Sequence, residues 1–299
     1  MKRFFCLVAF LVACGPEAAL DPAVHQAEVE KWQKNRDERL RREDGWLTLV
    51  GLHWLEPGPN TIGSAPGNAI TLPENAPPQL GTLTLADGNV TFEPAEESGV
   101  TIDERPVQDR VGLRDDHDNG GPTLVHAGTL NFQIIQRGDR HAVRVKDPQA
   151  ETLVHFEGLE YFPIDPRWRV VAQFEPYQPA RRIPIDDVTG FISDQEVPGA
   201  LVFEVDGEKH RLDAIDDGSR ELFVIFRDAT SRDATYPAGR YLYVSRPGVD
   251  GKVVVDFNKA YSPPCVFTPF ATCPLPPPQN RLPFRIEAGE KNYKKTATG

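Results

Sequence analysis

Short alternating runs broken by proline and glycine constrain this chain more than any other feature. From Gly45 onward, apolar and polar residues alternate in GWLTLVGLHWL, AITL, GTLTL, NVTFEP and GVTID. With 28 Pro and 24 Gly, the chain interrupts such runs at short spacing. A period of two puts alternate side chains on opposite faces of a strand, and frequent turns exclude long helices. The pattern predicts a mainly β protein built from antiparallel sandwiches or barrels.

Glycine paired with aspartate marks the turns between several runs. Such pairs stand at 87–88, 138–139, 206–207 and 250–251. Both residue types tolerate the left-handed backbone that two-residue hairpin turns require. We expect each pair to join two antiparallel neighbours.

The length of 299 residues allows two domains of ordinary size. We expect one β-sandwich over residues 45–150 and a second β-sandwich or barrel over residues 151–299. The formal net charge of −11 argues against nucleic acid as a partner, because phosphate binding needs a positive field.

One short helix is predicted before the first strand. Asp21 provides an N-cap side chain, Pro22 suits the first helical position, and Gly45 provides a stop. The residues between them are strongly charged, and apolar residues such as Trp32 and Leu40 are too sparse for a full apolar stripe. The pattern predicts an exposed helix that packs loosely or serves as a spacer.

The N-terminal sequence MKRFFCLVAFLVACGPE predicts export. Lys2 and Arg3 precede a short apolar run at 4–13, which is the order of a secretory signal. The run is too short to span a bilayer, which takes roughly 20 residues. Its end, Leu-Val-Ala-Cys at 11–14, resembles the bacterial lipoprotein processing box.

That resemblance implies a signal peptide at 1–13 and lipidation of Cys14 on its sulfur and amine with acyl chains such as palmitate. Residues 14–44 then form a lipid tether followed by the helix. Each buried methylene contributes about 0.8 kcal/mol, so two or more chains anchor a protein stably. We expect a lipid-anchored protein of the bacterial cell envelope, outside the cytoplasm, whose one membrane contact is this lipid.

After export, Cys265 and Cys273 are the two cysteines left for pairing, within SPPCVFTPFATCPLPPPQNRLP at 262–283. An oxidising compartment favours one disulfide between them, which stabilises the fold by about 2.6 kcal/mol on the loop-entropy estimate. The prolines fix φ and stiffen the segment. It is either a clamp that fastens the C-terminal tail to a sheet or the rigid wall of a binding site. A zinc site is less favoured, because two thiols give too few ligands.

The stretch GPNTIGSAPGNAITLPENAPPQLGTLTLADGNVTFEPAEESGVTIDERPV, at 58–107, resembles the forkhead-associated (FHA) β-sandwich. Members of that family bind phosphothreonine through an arginine after the first glycine and a serine and histidine in the next loop. Here Ser64 replaces the arginine, and APPQLGT has neither of the others. The resemblance implies the sandwich without its phosphopeptide ligand.

The C-terminal half contains FRDATSRDATYPAGRYLYV and then DFNKAYSPPCVFTPFATCPLPPPQNRLPFRIEAGEKNY. These motifs resemble the bacterial and archaeal family catalogued as domain of unknown function 1684. Many of its members look like lipoproteins or secreted proteins. The resemblance implies no reaction and no catalytic residue.

Polar residues concentrate in this C-terminal signature beyond what a plain sandwich requires. The candidate ligand-binding residues are Asp228, Thr230, Arg240, Asp256, Asn258, Tyr261, Asn280 and Glu290. They form either an internal network that pins the tail or a small-ligand pocket in which Arg240 and Asn258 orient the ligand.

The leading hypothesis for function is binding or scaffolding, with a small molecule or an envelope component as ligand. The alternative is an envelope hydrolase that uses the carboxylates and arginine of this cluster, with Asp256 and Glu290 as an acid and base pair. No G-x-S-x-G, H-E-x-x-H, Walker or dinucleotide motif is present. We predict no cofactor and no metal.

The acidic loop DDHDNGGPTLVH, at 115–126, is similar in spacing to a calcium loop. His117 and His126 occupy positions where that loop needs acidic ligands, so we predict a flexible acidic turn. At most, Asp116 and Asp118 make a weak calcium contact. We expect the histidines of this region to be ordinary surface or strand residues; they are His117, His126, His141 and His155.

Overall fold

A computed structural model describes residues 21–293. It confirms the mainly β prediction, with 42% strand and 15% helix. The predicted signal peptide, Cys14 and the tether up to residue 20 lie outside the described residues. Across residues 21–293, no helix combines the length and the apolar character that crossing a membrane requires.

The predicted helix is present as α1, Pro22–Leu40. The Asp21 carboxylate accepts the Ala23 N–H at 2.8 Å, and Pro22 occupies the first turn, where no N–H is needed. A single turn at Trp46–Thr48 leads into the first strand.

The N-terminal half is two sheets packed face to face, and their strands pair antiparallel except for the parallel pair of Gly58–Gly63 with Ile70–Thr71. One has the order β1-β11-β10-β9-β6-β7 and the other β3-β2-β4-β5-β8. Alternate residues of both sheets point inward, and Leu83, Phe92, Phe132 and Val143 are among the buried residues of their shared core. The strands are β1 (Leu49–Trp54), β2 (Gly58–Gly63), β3 (Ile70–Thr71), β4 (Gly81–Ala86), β5 (Asn89–Pro94), β6 (Thr101–Ile102), β7 (Arg105–Pro106), β8 (Val111–Leu113), β9 (Val125–Ala127), β10 (Leu130–Arg137) and β11 (Arg140–Lys146).

A short helix α2 (Glu151–Val154) precedes the C-terminal half, which is one barrel-like sheet in the order β16-β15-β14-β13-β12-β17. Its core includes Leu201, Val224, Phe226 and Phe257. The strands are β12 (Arg169–Asp186), β13 (Ile192–Val205), β14 (Glu208–Asp216), β15 (Glu221–Phe226), β16 (Arg240–Ser245) and β17 (Lys252–Asp256).

Three of the four predicted hairpins are confirmed. The turns at 87–88, 138–139 and 206–207 join β4 to β5, β10 to β11 and β13 to β14. The fourth prediction is wrong, because the chain turns at 250–251 but β17 pairs with β12 rather than with β16. Aspartate and glycine specify a local turn, whereas the free edge of β12 decides the partner of the strand that follows.

The proline-rich segment lies across the barrel, and its predicted disulfide between Cys265 and Cys273 is confirmed. After the disulfide the segment bonds to the sheet through its backbone. Leu275 N donates to Asp186 O at 2.8 Å, and Leu282 N donates to Arg227 O at 2.7 Å. The segment therefore fastens the C-terminal tail to the barrel.

Candidate functional site

Helix α1 packs against the C-terminal half along a narrow buried stripe. The stripe consists of His25, Val29, Arg36 and Leu40, whose spacing follows the helical period. The prediction of a loosely packed helix or spacer is wrong. Two of the four buried residues, His25 and Arg36, are polar, so a search for an apolar stripe does not detect this face.

Arg36 holds the last described segment of the chain. Its Nε donates to Glu290 Oε1 at 2.8 Å, and an NH₂ group donates to Ser262 O at 3.0 Å. Burial lowers the pKa of Arg36, but the charge and hydrogen bond of Glu290 outweigh that effect and raise it above the usual value. The guanidinium also lies 4.7 Å from the ring centre of Tyr261, so two predicted site residues meet here.

His25 makes the second contact of α1 with the predicted cluster. Its Nε2 lies 2.9 Å from Asp256 Oδ2, and Lys259 Nζ lies 3.8 Å from the same oxygen. The other oxygen, Oδ1, accepts the Asn258 backbone and side-chain N–H groups. Asn258 also bonds to both backbone groups of Asp165, so its side chain ties two loops together.

Arg240 and Asp228 form a separate buried pair, with 3.2 Å between NH₂ and Oδ1. Arg240 also donates to the carbonyls of Ile286 and Ala288, and Asp228 accepts the Ile286 N–H. Burial lowers the pKa of Arg240, and Asp228 opposes that shift. Thr230 donates to Asp228, so this pair fixes the backbone of the tail.

Asn280 connects the diverging strands β14 and β15. Its amide donates to the carbonyls of Asp213 and Ile225, both at 2.9 Å, and its oxygen accepts the Asp213 N–H at 2.7 Å. One side chain thus replaces ladder hydrogen bonds between the two strands.

A groove runs between α1 and the outer face of β15, β16 and β17, and we call it the helix groove. Its volume is about 700 Å³, within the range of small-molecule sites. Of the predicted site residues, Asp256 and Tyr261 line it, and Asn258, Asn280, Glu290, Asp228, Thr230 and Arg240 do not. The residues that form it are Glu28, Trp32, Arg36, Arg39, Trp46, Arg169, Glu221, Phe223, Tyr241, Leu242, Tyr243, Val244, Ser245, Val254, Asp256, Lys259, Tyr261 and Pro264.

Aromatic side chains dominate the surface of the helix groove. Trp46 and Tyr243 are each 38% exposed, Trp32 lies 6.2 Å from Tyr261 between ring centres, and Phe223 stacks on Tyr243 at 4.9 Å. Burial, with nearby acidic groups, raises the pKa of Tyr243 well above its usual range, so its hydroxyl stays neutral and donates to Asp217.

Charges of both signs lie around these rings. Within residues 21–293, the side chains of Arg39 and Arg169 make no ion pair, and neither do those of Glu28 and Glu221. The groove thus offers flat apolar faces together with two cations and two carboxylates that form no ion pair with one another or with other described residues.

A second cavity, of about 480 Å³, lies between the N-terminal sandwich and the disulfide-bearing segment, and we call it the loop cavity. Arg137, Phe191, Phe223, Thr272 and Pro274 are among its lining residues. Pro264 lines the helix groove and Pro274 the loop cavity, so the proline-rich segment borders both cavities as well as fastening the tail. That it is the wall of a binding site remains a prediction.

The acidic loop beside this cavity brings together Asp115, Asp116 and His117, whose ligand atoms lie within 4.8 Å of one another. Asp116 is already paired with Arg137 at 2.8 Å, which reduces the charge available to a cation. His141, predicted to be an ordinary surface or strand residue, is buried, with Nε2 3.8 Å from Asp115.

His25, Arg36 and the groove aromatics other than Tyr261 were not among the predicted site residues. His25, Val29, Trp32, Arg36 and Leu40 recur every three or four residues, which is the one signal that could have identified a packed face. Because charged residues usually lie at the surface, the charges of the helix hid this packed face.

These features define a class of protein, in which a β-sandwich precedes a β-barrel held by an N-terminal helix and a disulfide-bearing tail. The model of the family DUF1684, described as a protein of unknown function, matches residues 154–291. The chain belongs to this family, as its C-terminal motifs predicted.

An uncharacterised protein of Haloarcula marismortui, solved in solution by NMR, is 36% identical to this chain. The match covers 46% of this chain and 77% of that protein, with a TM-score of 0.39. No curated protein matches.

FHA domains are similar to part of the chain. The FHA domain of FhaA, solved with the intracellular domain of Rv3910, is 16% identical, and the match covers 32% of this chain and 97% of that domain, with a TM-score of 0.23. Another FHA domain, studied for phosphothreonine-dependent interactions, is 17% identical over 33% of this chain and 96% of its own length, also with a TM-score of 0.23. The predicted FHA-like resemblance is present and weak.

Proposed function

We propose that this protein is a lipid-anchored binding protein of the cell envelope whose ligand occupies the helix groove. The observation that carries the proposal is the set of partly exposed aromatic rings gathered in one groove, where Trp46 and Tyr243 are each 38% exposed. Aromatic side chains provide large apolar faces with a defined stacking geometry, and they are enriched where proteins bind partners.

The charges around those rings indicate the class of ligand. Arg39 and Arg169 attract acidic groups, and Glu28 and Glu221 attract basic ones, because none of the four is neutralised by an ion pair in the described chain. A ligand with a flat ring and polar groups of both signs satisfies all of these contacts. Amino sugars, short peptides and zwitterionic ring compounds have this chemistry.

A thermal-shift panel of those three compound types tests the proposal, because a ligand that prefers the native state raises its apparent stability. Trp32→Ala removes one wall of the groove, and we expect it to weaken a binding compound at least tenfold. Trp54→Ala is the matched control, since Trp54 lies on β1 away from the groove. Equal loss in both variants, or no stabilising compound, refutes the assignment.

The proposed location is supported by the processing box at 11–14 and by the disulfide of Cys265 with Cys273. Disulfides persist in oxidising compartments. Replacing Cys14 with serine is expected to release the protein from the membrane fraction into the soluble envelope fraction. Full retention on the membrane is the contrary result.

The second candidate is an envelope hydrolase, and it rests on the buried pair of His25 and Asp256. The second ring nitrogen of His25 has no hydrogen-bond partner among the described residues. A histidine oriented by a carboxylate can act as a general base. Turnover on a hydrolase panel that Asp256→Asn abolishes would favour this function, and absence of turnover would favour binding.

A further inference from the structure

Arg144 is a buried cation without a carboxylate partner. It lies on β11 and is 6% exposed, while its neighbours Val143 and Val145 belong to the sandwich core. Within residues 21–293 no carboxylate lies within ion-pair distance of it, and its Nε has no hydrogen-bond partner. Burial lowers the pKa of Arg144 to about 10, and the nearby charge of Arg137 adds to the effect.

Both arginines point at one hydroxyl. An NH₂ group of Arg144 lies 3.3 Å from Thr272 Oγ1, and Arg137 Nε lies 3.1 Å from the same oxygen. Arg137 is paired with Asp116, whereas Arg144 has no carboxylate within ion-pair distance among residues 21–293. A buried cation left unpaired costs free energy that an anion would recover.

The loop cavity reaches one arginine of this pair and the hydroxyl that both contact. Arg137 and Thr272 line it together with the apolar side chains of Phe191, Ile215 and Ile225, whereas Arg144 lies behind Thr272 and outside the lining. Its volume of about 480 Å³ suits a molecule of moderate size.

The acidic residues of the same cavity are engaged within the protein. Asp116 accepts from Arg137, Asp187 accepts the N–H groups of its own turn, and Asp217 accepts the Tyr243 hydroxyl. The negative charges of Asp187 and Asp217 repel an anion. A bound anion is therefore oriented with its charged group toward Thr272.

We propose that the loop cavity binds an organic anion whose carboxylate or phosphate lies against Arg137 and Thr272, with the charge of Arg144 behind that hydroxyl, and whose apolar part lies along Phe191, Ile215 and Ile225. Guanidinium groups recognise both anions through paired N–H donors. The site is independent of the proposed groove ligand, although Phe223 lines both cavities.

Titration calorimetry on the disulfide-bonded protein tests the site, with octanoate and octyl phosphate as charged probes. Octanol is the uncharged control, and sulfate is the anion without an apolar part. We expect saturable binding of at least one charged probe, at least tenfold tighter than that of octanol and of sulfate. The stronger of the two charged probes identifies the preferred head group.

Arg144→Met keeps the length of the side chain and removes its charge, and we expect it to weaken the bound probe at least tenfold. Arg140→Met on the same strand is the matched control, because Arg140 is exposed and lies over Trp54. Thr272→Val is a second variant, which we expect to weaken binding several-fold. It tests the same site if Arg144→Met does not fold.

Three results would overturn the proposal. They are the absence of saturable binding by either charged probe, equal affinity for octanol, and unchanged affinity in both Arg144→Met and Thr272→Val. Trp32→Ala, which alters the helix groove alone, is expected to leave the affinity unchanged, and a tenfold loss in that variant would place the probe in the other site.

Discussion

The two halves of the molecule stabilise their folds by different means. The N-terminal sandwich packs an apolar core between strands joined by short connections, and Arg144, which it buries, has no carboxylate within ion-pair distance among residues 21–293. The C-terminal barrel buries Arg240 with Asp228 and Glu290 with Arg36 around a long irregular tail. A tail without strands leaves carbonyls unpaired, and charged side chains can satisfy them.

The largest effect is expected from breaking the buried pair of the barrel. Arg240→Ala leaves Asp228 without its cation and two tail carbonyls without their donor, so we expect a loss of about 3–5 kcal/mol in the free energy of unfolding. Urea unfolding measures it.

Arg110→Ala is the matched change in the sandwich, where Arg110 pairs with Glu93 and both side chains are more than half exposed. We expect a loss of no more than about 1 kcal/mol there. Similar losses in the two halves would show that their stabilisation does not differ in this way.

The disulfide is the next largest contribution. Replacing Cys265 and Cys273 together with serine removes a cross-link over a sequence separation of 8 residues, and the loop-entropy estimate gives a loss of about 2.6 kcal/mol. Differential scanning calorimetry of the double variant checks it, with reduced wild-type protein as the control. An unchanged transition would mean that the proline segment is rigid without its cross-link.

Alkaline pH should act on the barrel in particular, since all 7 tyrosines lie between residues 161 and 293. Burial raises the pKa of several of them, including Tyr161 and Tyr261. Above about pH 10 the unfolded chain therefore releases tyrosine protons that the native state retains, and stability falls as pH rises. Arg144 acts in the opposite direction over the same range, because its native pKa of about 10 lies below the usual 12.5.

Tyr161→Phe isolates this effect, because the Tyr161 hydroxyl has no hydrogen-bond partner to lose in the part of the chain that the structure describes. We expect the variant to match the wild type at pH 7 and to lose stability less steeply above pH 10, by up to about 1.4 kcal/mol per pH unit for one proton. Urea titrations at several pH values measure the slope. Identical slopes would contradict the assignment.

The smallest loss of stability is expected at the N-terminus of α1. Asp21→Ala removes the carboxylate that caps α1 through Ala23 N, and such a loss costs about 1 kcal/mol. Asp21→Asn preserves a capping oxygen and is the control. The two variants should separate in thermal unfolding, and equal midpoints would show that the cap contributes nothing measurable.

Much of the fold could be predicted from local pattern. The alternating runs, the helix start at Asp21 and three of the hairpins follow from neighbouring residues. The pairing of β17 with β12 depends on closure of a whole sheet, and no turn residue at 250–251 specifies it.

The candidate site was harder to predict for the same reason. The polar C-terminal signature was visible, but the helix groove needs Trp32 and Arg39 from one end of the chain and Tyr243 and Tyr261 from the other. The spacing of these residues in the sequence does not indicate that they lie close together in space. The burial of Arg36 gave no signal in the sequence, because a lone arginine on a charged helix is usually solvent-exposed.

The contact of Arg36 with Glu290 spans 254 positions, which has a consequence for the order of folding. Contacts so distant in sequence form late, because the loop that they close is entropically expensive. During synthesis α1 therefore meets Asp256 and Ser262 before Glu290 has been added. The carboxylate that pairs with Arg36 arrives after the rest of the helix's docking surface and completes it.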